Sequence, residues 1–226
     1  MRLLVGLVSL AVLNLPAQDT RLQKENALGE HLAREFRQNT RRIDAPSVRK
    51  YVDRIGERLA AQIPDSRSPY RFEVIADDRG GYAHEAVAFP GGHVFISAPL
   101  ILAAQNEAEF ACMLADAMAV LESQQRQSGP LIWIGGESGV LPVAIQQQAD
   151  ADAVKIASSA GFDAAALGRY IARALQSEAR LAVLEKAIQH LPSRTYTESG
   201  DFAPVQEELR RASPQRTRRP PSLLAR

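Results

Sequence analysis

The chain has 226 residues, of which 46% are hydrophobic, and its formal net charge is +1. A chain of this length can bury the core of one compact domain. The near balance of 27 basic and 26 acidic residues provides no bulk charge for binding nucleic acid or an acidic substrate. Cys112 is the only cysteine, which excludes an internal disulfide framework.

The first 18 residues have the pattern of a secretory signal peptide. Arg2 gives a basic start, Leu3–Leu13 is an apolar run, and Leu15-Pro16-Ala17 offers a cleavage site that ends in a small residue. The run is too short for a transmembrane helix. We therefore expect an exported protein, periplasmic or secreted. An uncleaved membrane anchor is the alternative, and only in that case would the chain associate with a membrane.

Helical and strand patterns follow in separate blocks. Apolar residues recur at helical spacing from Val48 to Leu59, which predicts an amphipathic helix that ends near Ala61. Three short strands are then predicted, with the turn signal Pro90-Gly91-Gly92 between the last two: Arg71–Ala76, Ala86–Phe89 and His93–Ser97. Strands that cluster between helical blocks indicate an α+β fold, mostly helical, with a small sheet of about three strands.

The stretch Asn106–Gln124 predicts a buried central helix. Phe110, Leu114 and Leu121 lie on one face, and alanines fill much of the remainder. Asn106 followed three residues later by Glu109 resembles a capping box at the start of this helix. Cys112 lies within the helix, where we expect a packed, unreactive thiol.

The C-terminal half is expected to be helical as far as about His190. The apolar segment 128–145 contains Trp133 and is interrupted by glycine and proline, so either a helical hairpin over a groove or a packed loop is expected. A helix is predicted at Gln146–Ala160, ended by Gly161, and a long helix from Asp163. The domain thus covers residues 19–195. Residues 196–226 are expected to form a basic, mostly disordered tail, since the last 17 residues carry six arginines and no acid.

Four stretches resemble the zinc metallopeptidase family of the CAAX prenyl proteases, HtpX and the periplasmic BepA-like proteins. They are EAVAFPGGHVFI (85–96), NEAEFACMLADAMAVL (106–121), QQQAD (146–150) and SSAGFDAAALGRY (158–170). The resemblance covers most of residues 22–190 and implies a zincin-like peptidase fold. The family carries H-E-x-x-H on the central helix and E-x-x-A-D on the next helix.

The resemblance also implies that the zinc chemistry is missing. The two metal histidines of the family fall on Asp116 and Val120, the catalytic glutamate falls on Ala117, and the glutamate ligand falls on Gln146. A catalytic zinc needs three protein ligands and a water, and a glutamate activates that water. Val120 has no donor atom, and Ala117 cannot act as a base. We therefore expect no catalytic residue, no metal ligand and no zinc cofactor. His84-Glu85 does not replace the motif, because the fifth position is Ala88.

The family further implies a place for an extended peptide along a sheet edge. In the family this edge is the strand after the PGG turn, which here comprises His93, Val94, Phe95, Ile96 and Ser97. The expected partner is an extended, partly apolar segment of another exported protein, bound by main-chain hydrogen bonds. An edge blunted by the chain's own loop is the other possibility. Two hypotheses follow. The first is a non-catalytic homologue, that is, a pseudoenzyme that binds protein segments. The second is an active metalloendopeptidase with a reorganised metal site.

Overall fold

A computed structural model describes residues 17–64, 66, 69–76, 84–126, 142–191, 196 and 198–213. The predicted signal peptide lies outside these residues except for positions 17 and 18, which begin helix α1. The apolar segment 128–145 lies outside them except for residues 142–145, of which the last three begin a helix. The helices are α1 (Ala17–Asn39), α2 (Pro46–Ala60), α3 (Ala98–Ala103), α4 (Glu107–Arg126), α5 (Val143–Ser159), α6 (Ala165–Tyr170), α7 (Glu178–Ile188) and α8 (Phe202–Ala212). The strands are β1 (Arg71–Ile75), β2 (Ala86–Phe89) and β3 (His93–Ser97).

The predicted mostly helical α+β fold with a three-stranded sheet is confirmed. None of the helices in the described ranges is long and apolar enough to cross a membrane.

The order of the strands corrects the predicted peptide-binding edge. The sheet has the order β1–β3–β2, with β3 parallel to β1 and antiparallel to β2. His93–Ser97 is therefore the central strand, and the prediction that it forms the edge is wrong. The physical reason is that the turn after Phe89 returns the chain beside β2, while β1 pairs with the other side of β3. All five residues of β3 are buried.

Both faces of the sheet are covered, which explains why β3 is apolar at successive positions. On one face, Phe36 of α1 packs against Phe89 and Phe95, with ring centroids 5.4 and 4.6 Å apart. The alternate residues Val94 and Ile96 belong to the main core, to which α2 and α4 also contribute. The sheet thus lies between α1 and the α2–α4 layer.

Helix α4 forms the centre of the main core, as its sequence predicts. The side-chain carbonyl of Asn106 accepts the N–H of Glu109 at 2.9 Å, and the Glu109 carboxylate accepts the N–H of Gln105 at 2.8 Å. This is a capping box whose return bond is displaced by one residue. Nearly every residue of α4 is buried, and α5 packs along its length.

The C-terminal region differs from its prediction in two ways. The predicted single helix from Asp163 to His190 is broken into α6, a π-helical turn at Ile171–Leu175, and α7, with Gln176 in the left-handed region between the last two. The predicted disordered tail is wrong for α8, since Phe202, Val205 and Leu209 are buried and α8 packs on α2 and α3. Residues 214–226 of the predicted tail lie outside the described residues.

Candidate functional site

Helices α4, α5 and α7 bring a polar cluster together in the apolar core. Asp116 lies on α4, Gln146 and Asp150 lie one turn apart on α5, and Arg180 lies in the first turn of α7. The side-chain amide of Gln146 lies 3.5 Å from the carboxylate of Asp116 and 3.3 Å from that of Asp150. The structure therefore brings together two of the residues that the sequence singled out, Asp116 and Gln146.

The guanidinium of Arg180 connects the two carboxylates of this cluster. Its Nη2 donates to Asp116 Oδ2 at 2.9 Å and to Asp150 Oδ1 at 2.5 Å, and its Nε donates to Asp150 at 3.0 and 3.2 Å. The side chains of Arg180, Asp116 and Asp150 are 15%, 11% and 0% exposed. The result is a largely buried ion triad that ties three helices together.

Opposing effects act on the pKa values of Arg180 and Asp150. Burial lowers the pKa of the Arg180 guanidinium, but the charge of Asp116 and the bonds to Asp150 outweigh burial, so the pKa is raised. Arg180 therefore remains a cation throughout the physiological pH range. Burial raises the pKa of Asp150, and the hydrogen bond from Arg180 opposes that rise. Arg180 is thus the main group that favours the ionised form of Asp150 in this buried position.

The other two positions singled out in the sequence carry no polar side chain. Ala117 follows Asp116 on α4 and is 5% exposed, and Val120 lies one turn after Asp116 and is half-buried. Zinc needs several N, S or O ligands from the protein. This cluster has two carboxylates and a neutral amide that already bond to one another or to Arg180, so its residues do not fit a zinc ion. Within the described ranges, no three His, Cys, Asp or Glu side chains form a group that could hold a metal ion.

A sheet edge lies beside this cluster, but it is β2 rather than β3. The backbone N–H of Ser97 on β3 donates to the backbone carbonyl of Glu85, so the main chain of Glu85 faces β3. Because main-chain groups alternate in direction along an antiparallel strand, those of Ala86 and Ala88 face the opposite side. The same alternation turns the carbonyl of His84 outward, where the hydroxyl of Tyr170 donates to it at 3.1 Å. Among the described residues, none pairs with β2 on this outer side. The outer side of β1, in contrast, is bonded by Arg41–Ile43.

Glu85 connects the edge of β2 to the polar cluster. The Glu85 side chain is exposed overall, yet desolvation by the surrounding protein and the charge of Asp116 raise its pKa. Arg180 acts in the opposite direction on the same group. The outer edge of β2 therefore begins within electrostatic range of Asp116 and Arg180.

Other candidates from the sequence lie elsewhere or are inert. His93 lies on the far face of β3, where its Nε2 is 3.2 Å from the carboxylate of Glu30 on α1. Burial raises the pKa of Cys112 to about 12, which agrees with a packed, protonated thiol. Sequence reasoning missed Arg180. The available signal was its spacing, because Arg180 precedes the buried Leu184 by four residues and so shares its helical face.

Known proteins similar to this chain are proteases by name. The chain is 27% identical over 186 residues to the beta-barrel assembly-enhancing protease of Yersinia pestis, covering 66% of this chain and 37% of the relative. It is 27% identical over 135 residues to the protein of that name from Escherichia coli K12, covering 56% of this chain and 27% of the relative. It is 28% identical over 196 residues to the putative beta-barrel assembly-enhancing protease of Vibrio cholerae, covering 71% and 40%. No family model matches the chain.

These relatives are considerably longer than the region they share with this chain. The chain spans between 27% and 40% of their lengths. Distant homologues of this chain are thus the beta-barrel assembly-enhancing proteases, and the relationship is metallopeptidase-like.

Proposed function

We propose that this chain is an exported, non-catalytic relative of the metallopeptidases that binds an extended segment of another exported protein without zinc. Export is inferred from the signal-peptide pattern at residues 1–18. The observation that carries the binding proposal is the outer edge of β2, a strand that contacts α4 and follows Glu85, on which the charge of Asp116 acts.

The edge of β2 supports binding because alternate residues present main-chain hydrogen-bonding groups on the side away from β3, as strand addition requires. Ala86 and Ala88 each present an N–H and a C=O on the side away from β3. An extended segment that pairs there would continue the sheet by strand addition. Binding of this kind needs no reacting group.

The polar cluster supports the absence of hydrolysis. Ala117 has no carboxylate to take a proton from water, and Val120 has no donor atom for a metal. Asp116 and Asp150 are both engaged by Arg180. A bound segment would therefore lie beside a site that lacks both a metal ion and a general base.

An array of overlapping peptides from exported proteins tests the binding surface. Ala88→Pro removes an outward N–H and keeps the bonds between β2 and β3, whereas Ala88→Gly keeps the N–H and serves as the matched control. We expect the wild-type chain and Ala88→Gly to select the same peptides, and Ala88→Pro to lose them with its thermal transition retained. Equal binding by a folded Ala88→Pro variant would show that β2 is not the surface.

A cleavage assay separates the proposal from an active metalloendopeptidase with a reorganised site. The chain is incubated with unfolded, fluorescently labelled casein, with added zinc and with a chelator. We expect no cleavage above the buffer control in either condition. Cleavage that zinc supports and the chelator abolishes would establish the enzyme instead.

A further inference from the structure

We infer that helix α1 is a separable cover on one face of the sheet and that His93 makes its attachment sensitive to acid. This inference goes beyond the proposed function, because it holds whether or not β2 binds a segment. It follows from three features of the contact between α1 and the sheet: a small second core, a close approach at the turn before β3, and a buried imidazole.

The first feature is the small size of the core beneath α1. Five buried apolar residues of the described chain form it apart from the main core, and α1 contributes two of the five. They are Ala33, Phe36, Ile75, Phe89 and Phe95. Elements with few buried apolar contacts open at a lower free energy than the main core of the same protein. Helix α1 can therefore leave the sheet while the α2–α4 layer stays folded.

The second feature is the close approach of α1 to the turn that precedes β3. Gly29 lies so near this turn that a Cβ at position 29 would come within 1.7 Å of the carbonyl oxygen of Pro90. The next residue of α1, Glu30, places its carboxylate 3.2 Å from Nε2 of His93, the first residue of β3. His93 therefore lies at the contact between α1 and the turn, where a change in its charge acts directly on the attachment of the helix.

The third feature is the environment of the His93 imidazole. His93 is 3% exposed, and its Nδ1 has no hydrogen-bond partner within the described ranges. The neutral ring suits this environment, because Nε2 can donate to Glu30 while Nδ1 carries no proton. The protonated ring does not, because Nδ1 then becomes a buried N–H without an acceptor. Acid therefore favours an open form in which water reaches the ring.

The charges that face His93 come from α1 and β1, since β2 and the turn before β3 carry no charged side chain. Burial disfavours the imidazolium most, Arg71 and Arg37 also oppose it, and Glu30 and Glu73 favour it. The net effect is that the pKa of His93 is lowered from its ordinary value of 6.5. In acid, an open or unfolded chain therefore binds more protons than the docked form. The stability that neutral His93 contributes is complete above about pH 6.5 and is lost as the pH falls below that value.

Urea unfolding at pH 7 and pH 5 tests the acid sensitivity. His93→Gln keeps an N–H for Glu30 but does not titrate, and His31→Gln is the matched control on α1, because the His31 side chain is 62% exposed. We expect the folding equilibrium constant of wild type and of His31→Gln to fall by about threefold to 25-fold more than that of His93→Gln, the upper limit being set by one proton and an unfolded pKa of 6.5. An equal acid loss in His93→Gln, or a smaller loss in wild type than in His93→Gln, would overturn the inference.

Hydrogen exchange on the wild-type chain tests whether α1 separates from the rest. Protection factors, corrected for the intrinsic pH dependence of exchange, are compared between α1 and α5 at pH 7 and pH 5. We expect α1 to exchange through openings that leave α5 protected, and its protection to fall at pH 5 by at least about threefold more than that of α5. Loss of protection in both helices together, or protection of α1 that acid does not change, would contradict the inference. This measurement needs no variant, so it remains decisive if His93→Gln does not fold.

Discussion

The ion triad predicts a large and specific loss of stability when Arg180 is replaced by methionine. The substitution keeps much of the apolar stem and removes the guanidinium. Asp150, which is fully buried, then loses its bonds from Nε and Nη2, and Asp116 loses one. Breaking a buried pair by removing one partner costs about 3–5 kcal/mol, because the remaining charge is left uncompensated.

That free energy corresponds to a readily measured change. For a domain of this size, a loss of about 3–5 kcal/mol lowers the Tm by roughly 6–20 °C. The control is Arg126→Met, since its pair with Asp152 is exposed to solvent. Exposed pairs contribute about 0–1 kcal/mol. Both variants are compared with the wild-type chain by urea titration and by thermal unfolding, with circular dichroism as the signal.

A double-mutant cycle with Asp150→Asn tests the cause of the loss. If the cost comes from the uncompensated carboxylate, Asp150→Asn should recover part of the stability of Arg180→Met, with a coupling of about 0.5–3 kcal/mol. The reasoning is refuted if Arg180→Met loses no more stability than Arg126→Met. It is also refuted if the effects of Arg180→Met and Asp150→Asn simply add.

Three further predictions follow from the same contacts. In Arg180→Met, the pKa of Asp150 should rise further above its unfolded value of 3.8. The folded variant then binds more protons than its unfolded chain as the pH falls. The loss of unfolding free energy relative to wild type should therefore shrink when urea titrations are repeated from pH 7 towards about pH 4. Gly29→Ala should destabilise the chain by about 1–3 kcal/mol in thermal unfolding, because the new Cβ would lie 1.7 Å from the carbonyl oxygen of Pro90. The control is Gly168→Ala in α6, which should be neutral or stabilising because its new Cβ meets no atom within 4 Å. Leu209→Ala should cost about 2–5 kcal/mol in urea unfolding, because Leu209 is fully buried, while the neighbouring exposed Arg210→Ala should change it by less than about 0.5 kcal/mol.

Local patterns predicted the elements of this fold more reliably than their arrangement. The strands Ala86–Phe89 and His93–Ser97 have the predicted bounds, since the Pro-Gly-Gly turn between them is a strong local signal. Gly91 and Gly92 adopt φ values of 78° and 81°, which favour glycine. The buried helix beginning after Asn106 was equally clear from its cap and its apolar content.

The strand order was harder to predict because it depends on a pairing between distant residues. β1 and β3 are parallel neighbours separated in sequence by β2, and no local pattern specifies that contact. A relevant signal was present in β3 itself. Val94, Phe95 and Ile96 are consecutive apolar residues, which is typical of a strand covered on both faces rather than of an exposed edge.

Composition obscured two features in the C-terminal region. The arginines after residue 209 suggested a solvated tail, although Phe202, Val205 and Leu209 recur at the spacing of one helical face. Arg180 was similarly hidden in a segment that resembled one continuous helix. Its position beside Asp116 depends on the π-helical turn and the left-handed Gln176, which together set the start of α7.

Under the proposed function, binding and hydrolysis would depend on different atoms of this scaffold, so one could be lost without the other. The outer edge of β2 is made of backbone groups fixed by the pairing of β2 with β3, which involves neither Asp116 nor Arg180. The cluster on α4, α5 and α7 is made of side chains, and each can change while the helices keep their packing. Arg180 supplies the positive charge between the carboxylates of Asp116 and Asp150 and thereby joins the three helices. The stability of the site and its chemistry are thereby separated, because the guanidinium can balance the charge of buried carboxylates but cannot activate water as a metal does.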